Sequence, residues 1–144
     1  MLSVNVFSLK AYDFKEGGLF YKKTASGEVE VVSETAVFSP LGYYNDGNAP
    51  TGRVVVPEEV RHGAVNYRVT SIHELAFNYC SELTFISIPG SVKTITKSTF
   101  FSSGLTGISI AEGVEKIEKH AFYFCSKLTS VSIPNSVKIG RAHV

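Results

Sequence analysis

The chain has 144 residues, 44% of them apolar and 12% aromatic, enough to build a core and too many for a disordered chain. Fourteen Lys and Arg stand against thirteen Asp and Glu, a formal net charge of +1 with no long run of either sign. That balance excludes the electrostatic footprint of a nucleic-acid binder or of an anionic-membrane binder, and no apolar run reaches the roughly 18 residues of a spanning helix.

Met1 to Leu9 opens the chain as a short apolar segment without a basic flank before it. It reads either as the back half of an export signal or as an ordinary first strand. A signal remnant over residues 1–10 is the expectation carried forward. Next, LFYKKT and EVEVVS flank ASG, which predicts a hairpin over Leu19 to Ser33. SPLGYYNDGNAPTGR, Ser39 to Arg53, is a turn-rich loop. Its NDG, Asn45 to Gly47, lacks the alternating carboxylates and distal Glu of a calcium loop and reads as a plain turn.

VVVPEEV then sets Val54, Val56, Pro57 and Val60 at a spacing that returns downstream as Ile86, Ile88, Pro89 and Val92. VTSI, Val69 to Ile72, likewise anticipates VKTI, Val92 to Ile95. Between them RHGAVNYR is an insertion that turns at His62-Gly63. Residues 11–71 are therefore predicted to form an N-terminal cap of antiparallel strands that contains a partial repeat.

Three aligned lines follow: IHELAFNYCSELTFISIPGSVKT from Ile72, ITKSTFFSSGLTGISIAEGVEK from Ile95, and IEKHAFYFCSKLTSVSIPNSVK from Ile117. The period is 22–23 residues, within the range of leucine-rich repeats. Ile72, Ile95 and Ile117 open the lines. Phe77, Phe100 and Phe122 follow, then Leu83, Leu105 and Leu128. In LTFISI, LTGISI and LTSVSI the last two apolar residues alternate as in a half-buried strand, and IPGS and IPNS supply the turn. One line cannot bury its apolar face alone. Stacked lines can, with strands about 4.8 Å apart and each inward side chain worth ~1.5–3 kcal/mol when fully buried. The fold class expected over residues 72–138 is thus a β-rich leucine-rich-repeat solenoid of three repeats with short helical or irregular turns. The second line lacks one residue between Phe100 and Leu105, outside the strand, so the strand register should survive.

AFNYCSELTFISIPGSV and AFYFCSKLTSVSIPNSV resemble the BspA-type leucine-rich repeat of bacterial surface and secreted proteins. VVVPEEVRHGAVNYRVTSI is similar to that family's entry segment, and the resemblance covers roughly Phe14 to Lys138. It implies export from a bacterium, a secreted or cell-surface location, and a role in adhesion or protein binding without enzyme activity or cofactor. The end departs from the pattern. Ile139 arrives one residue early, and IGRAHV, residues 139–144, resembles a translated sequencing adapter, so this tail is expected to be non-native.

The two cysteines, Cys80 and Cys125, occupy one repeat position with Ser102 or Ser103 between them. Two coil spacings put them about 10 Å apart, beyond the roughly 7 Å of a disulfide, so they are expected as small buried free residues. His73 and His120 precede these cysteines but are not equivalent in the repeat, and no third group orients either as a catalytic base. Solvated surface histidines are expected. The four histidines show no metal-ligand spacing. Between the inward strand residues, Phe85 and Ser87, Gly107 and Ser109, and Ser130 and Ser132 should point outward in three adjacent rows. Such a face is where repeat proteins bind, and Phe85, the one large apolar member, is the candidate anchor. Ser and Gly also simply tolerate close stacking. The functional expectation is a binding or adhesion module for a protein or glycan, with a host surface or matrix as its setting. The alternative is a spacer without a ligand of its own.

Overall fold

The computed structural model describes residues 10–36, 43–45 and 47–138. The expected signal remnant lies, Lys10 apart, outside them, and the suspected tail wholly so. Among the described residues there are eleven strands and no helix. They are β1 (Phe14–Glu16), β2 (Leu19–Ala25), β3 (Glu28–Val32), β4 (Gly52–Val55), β5 (Glu59–His62), β6 (Val65–Ile72), β7 (Leu83–Ile88), β8 (Thr94–Ile95), β9 (Gly107–Ile110), β10 (Lys116–Ile117) and β11 (Ser130–Ser132).

The first sheet has the order β1-β2-β3-β6-β5 and is the cap. The β2–β3 hairpin turns at Ser26-Gly27, where Gly27 takes a φ of 73°. Its pairings are antiparallel except that of β3 with β6, which is parallel. Those two strands are separated by the long loop, β4 and β5, so the chain returns to β3 from the same end. The expected turn at His62-Gly63 moves by one residue. His62 pairs with Val65, so Gly63 and Ala64 form the turn and His62 belongs to the strand. There its Nδ1 lies 2.8 Å from Glu16 Oε1 and its ring stacks on Phe14.

The second sheet is wholly parallel, in the order β11-β9-β7-β4. Ile86 pairs with Ile108 and Val54 with Ile86, and Val131 pairs with Ile108, as the repeat alignment requires. A parallel ladder of β8 and β10 runs along the coil, with Ile95 opposite Ile117. The missing residue in the second coil leaves the strand register unchanged.

Inside the coil the repeat positions form columns. Phe77, Phe100 and Phe122 stack with centroids 5.5 Å apart at each step. One apolar cluster runs from the cap residues Phe20, Tyr21 and Val31 through Ile72 into Ile86, Ile95 and Ile108. Burial falls along the column: Ile86 is 0% exposed, Ile108 2% and Val131 40%. The turns after the columns of Phe carry a backbone feature that no composition signal announced. Tyr79, Ser102 and Phe124, three unlike residues at one repeat position, all take positive φ of 60°, 55° and 59°. Ser98 and His120 do the same at a second position. Each is a left-handed conformation that costs an L-residue about 1–2 kcal/mol, held here by coil-to-coil hydrogen bonds such as Tyr79 N–H to the Phe101 carbonyl.

Candidate binding face

The parallel sheet sets its outward residues in rows because its strands pair without slippage from β7 to β11. One row reads Arg53, Phe85, Gly107, Ser130 and the next Val55, Ser87, Ser109, Ser132. All six expected residues therefore lie on one face. Their environments differ. Ser130 and Ser132 are exposed, Ser87 and Ser109 half-buried, Gly107 buried and Phe85 half-buried.

Two neighbours explain the state of Phe85. The Arg53 guanidinium carbon sits 4.0 Å above its ring. On the other side the ring fills the space over Gly107, where an added Cβ would lie 3.1 Å from Phe85 Cδ2. Phe85 is thus a plate between a cation and a glycine. Arg53 and Val55, the latter 71% exposed, were missing from the expected face. The signal was present, since aligning Val54 and Val56 with Ile86 and Ile88 puts Arg53 and Val55 beside Phe85 and Ser87.

Below these rows a threonine column ties the coils at the strand entrance. Thr106 donates through N–H and Oγ1 to the Thr84 carbonyl at 2.8 and 3.0 Å. Thr129 repeats this on the Thr106 carbonyl at 3.0 and 3.2 Å. These hydroxyls serve the solenoid, whereas the side chains of Ser87, Ser109, Ser130 and Ser132 make no hydrogen bond among the described residues.

The chemistry of the thiols follows their depth. Both cysteines are free. Burial pushes the Cys80 thiol up to about 12, which removes the thiolate at neutral pH. Cys125 is half-buried and donates to the Phe100 carbonyl at 2.9 Å, with Ser103 Oγ at 3.4 Å from its sulfur. His73 Nδ1 accepts the Leu75 N–H, and His120 packs on the Tyr123 ring. Among the described residues, no cluster of three or more His, Cys, Asp or Glu is placed to hold a metal. No helix there is long and apolar enough to cross a membrane.

A second exposed surface went unforeseen. Tyr79, Phe101, Tyr123 and Phe124 touch in a continuous aromatic patch on the turn side of the coils, with Phe124 63% exposed. Its signal was the aromatic residues within the two positions after each column Phe, in FNY, FFS and FYF.

Residues 60–143 match the model of the BspA type leucine rich repeat region, six copies long. No curated protein matches the chain. Among solved structures, a leucine-rich repeat protein from Bacteroides ovatus ATCC 8483 is 31% identical with a TM-score of 0.70, over 88% of this chain and 31% of that one. A leucine rich cell surface protein from Faecalibacterium prausnitzii A2-165 is 27% identical with a TM-score of 0.62, over 86% of this chain and 31% of that one. A leucine-rich repeat protein from Bacteroides capillosus ATCC 29799 shares the fold at 22% identity and a TM-score of 0.62, over 86% and 83%. The chain thus spans about a third of the length of the first two.

Proposed function

The chain belongs to the BspA-type leucine-rich-repeat family, and from that premise we propose that it is a non-catalytic binding or adhesion module of an exported bacterial surface protein. Its ligand is a protein or glycan, of the kind a host surface or matrix presents, and its site is the parallel-strand face. The observation that carries the reading is the alignment of Arg53, Phe85, Gly107 and Ser130 beside Val55, Ser87, Ser109 and Ser132 in unbroken rows. Small polar side chains there leave the sheet open to a partner, while the Arg53–Phe85 pair offers a rigid, amphipathic anchor of the kind that dominates interfaces. The surface location is supported by the likeness to the Faecalibacterium protein, which is a cell surface protein.

The test is a binding survey of the whole chain against matrix proteins and glycans, with Phe85→Glu alongside. Glu at 85 can still pair with Arg53, so the fold should hold while an anchor of this type costs tenfold or more in affinity, about 1.4 kcal/mol. A ligand that binds Phe85→Glu as tightly as the wild type would move the site off this face. One observation favours the spacer reading: Phe85 packs on Gly107 and is only half-exposed, as a structural plug would be. A well-folded wild type that binds nothing in the survey supports it.

A further inference from the structure

The third coil carries the columns out of the core. Leu128 is half-buried and Val131 and Ile133 are exposed, where Leu105, Ile108 and Ile110 of the coil before are buried. Of the seven exposed large apolar residues among those described, four, Tyr123, Phe124, Val131 and Ile133, belong to this coil. β11 is also a sheet edge. Ser130 N–H donates to the Thr106 carbonyl at 3.2 Å, so the alternate residue, Val131, turns its N–H and carbonyl away from β9. Within β11 there is no charged residue, proline or bulge of the kind that blunts an open edge.

Each coil has two further flanks, the turn that carries the column Phe before its strand and the return segment after it. On the turn flank, N–H groups point to the next coil. Phe77 and Tyr79 donate to the Thr99 and Phe101 carbonyls at 3.2 and 2.8 Å, and Phe100 and Ser102 donate to Ala121 and Tyr123, both at 3.0 Å. Phe122 and Phe124 hold those donor positions in the third coil. On the return flank, carbonyls point to the next coil. Lys93 accepts Glu115 N–H and Glu115 accepts Lys138 N–H, each at 2.9 Å, and Ile95 accepts Glu118 N–H at 2.8 Å. Ile117 and Lys138 hold those acceptor positions in the third coil. None of these four groups meets another coil among the described residues.

We propose that this end face pairs with the same face of a second copy, β11 against β11, antiparallel about a twofold axis. An antiparallel edge pair is its own complement, as a twofold axis requires. The turn flank adjoins the start of β11 and the return flank adjoins its end. Reversing one copy therefore sets the donors of each turn flank against the acceptors of the other's return flank, and column against column. The interface continues the coil-to-coil contact that buries the columns of the first two coils. The other end of the stack offers no matching flank, because β6, which follows β4 and β5 there, is hydrogen-bonded on both sides, by β3 and β5. Pairing joins two four-stranded sheets into one and puts both candidate binding faces on the same side. The inference goes beyond the strand-face reading and stands without it.

Sedimentation velocity of the whole chain, across about a hundredfold range of concentration, should show a monomer passing to a dimer and to nothing larger. Amide hydrogen exchange should slow about tenfold at the concentrated end for the N–H groups of Phe122, Phe124 and Val131. Val131→Lys and Ser132→Glu each set like charges across the axis and should weaken the dimer several-fold. Ser132→Glu lies on the outer strand face, so it decides the matter if Val131→Lys unfolds the coil. A monomer at every concentration overturns the proposal. So does a dimer in which those amides exchange unchanged, or one that a folded variant forms as tightly as the wild type. Species growing past the dimer assign β11 to the β4 edge of the next copy. Binding of a peptide spanning Ile95 to Lys116 by a chain that stays monomeric assigns it to a repeat coil of another protein. Either result overturns the twofold pairing.

Discussion

Gly104→Ala tests how tightly the coils are stacked. Gly104 lies at the one-residue deletion, buried, with its N–H on the Cys80 carbonyl at 3.0 Å. An added Cβ would sit 1.9 Å from the Ser81 carbonyl oxygen and 2.7 Å from its carbon. A comfortable carbon–oxygen contact is about 3.3 Å, so the coils must part by more than ~1 Å, and main-chain atoms on both sides leave no flexible group to yield. Overpacking of this kind costs ~1–3 kcal/mol, and the strained hydrogen bond adds ~0.5–1.5 kcal/mol. Stiffening the unfolded chain returns only ~0.4–1 kcal/mol, so the steric term wins. A net loss of about 2–3 kcal/mol corresponds to a fall in Tm of roughly 6–12 °C for a chain of this length. Gly107→Ala is the matched comparison, because its Cβ meets only the edge of the Phe85 ring at 3.1 Å, and a ring can tilt. It should cost under about 1 kcal/mol. Urea unfolding followed by circular dichroism reads both. Equal midpoints for Gly104→Ala and wild type, or a larger loss in Gly107→Ala, would refute the close-stacking argument.

Ile95→Asp places a charge in the fully buried column opposite Ile117, with no described cation to pair it. It should cost more than about 3 kcal/mol and lower soluble yield, and an unchanged melting curve would mean that the repeat register is wrong. Alkaline pH should unfold the chain early. Burial pushes Cys80 up to about 12, burial and then Glu16 push Tyr21 up to about 12, and burial chiefly raises Tyr44, whose hydroxyl donates to the Ala76 carbonyl. Unfolded, these groups lose their protons near about 8.5 and 10, so the native state binds more protons from about pH 8.5 to 12 and stability falls across that window. The urea midpoint should drop steadily above about pH 9, and Cys80→Ala should remove the earliest part of the drop. A midpoint held constant to pH 11 contradicts it.

The solenoid was legible because its inward positions are the ones that cannot vary freely. Ile, Phe, Leu and Val recur where columns form, so period and register could be read, even across the deletion at Gly104. The left-handed turns were not legible, since Tyr79, Ser102 and Phe124 share a φ but no chemistry. The parallel pairing of β3 with β6 was hidden for another reason: it depends on the path of a long connection rather than on any local pattern. Of the candidate face, alternation placed Phe85 and the serines in rows. It said nothing of what lies on Phe85, because a cation over a ring is a contact between strands far apart in sequence. The alignment that sets Val54 and Val56 inward also sets Arg53 and Val55 outward, beside Phe85 and Ser87.

The decline of burial along the Ile86, Ile108 and Val131 column gives the molecule a direction of failure. Among the described strands, β9 and β7 are each gripped from both sides, so loosening either breaks two interfaces, whereas loosening β11 breaks one described interface. Local opening should therefore run like a zipper from β11 toward the cap, each step exposing the next column residue. Amide hydrogen exchange would record this as an ordered series, with the N–H groups of Thr129 and Ser130 exchanging first, Thr106 later and Val56 later still. Mechanical pulling would meet the same order, so a load applied through the β11 side would peel coils one at a time while the cap held.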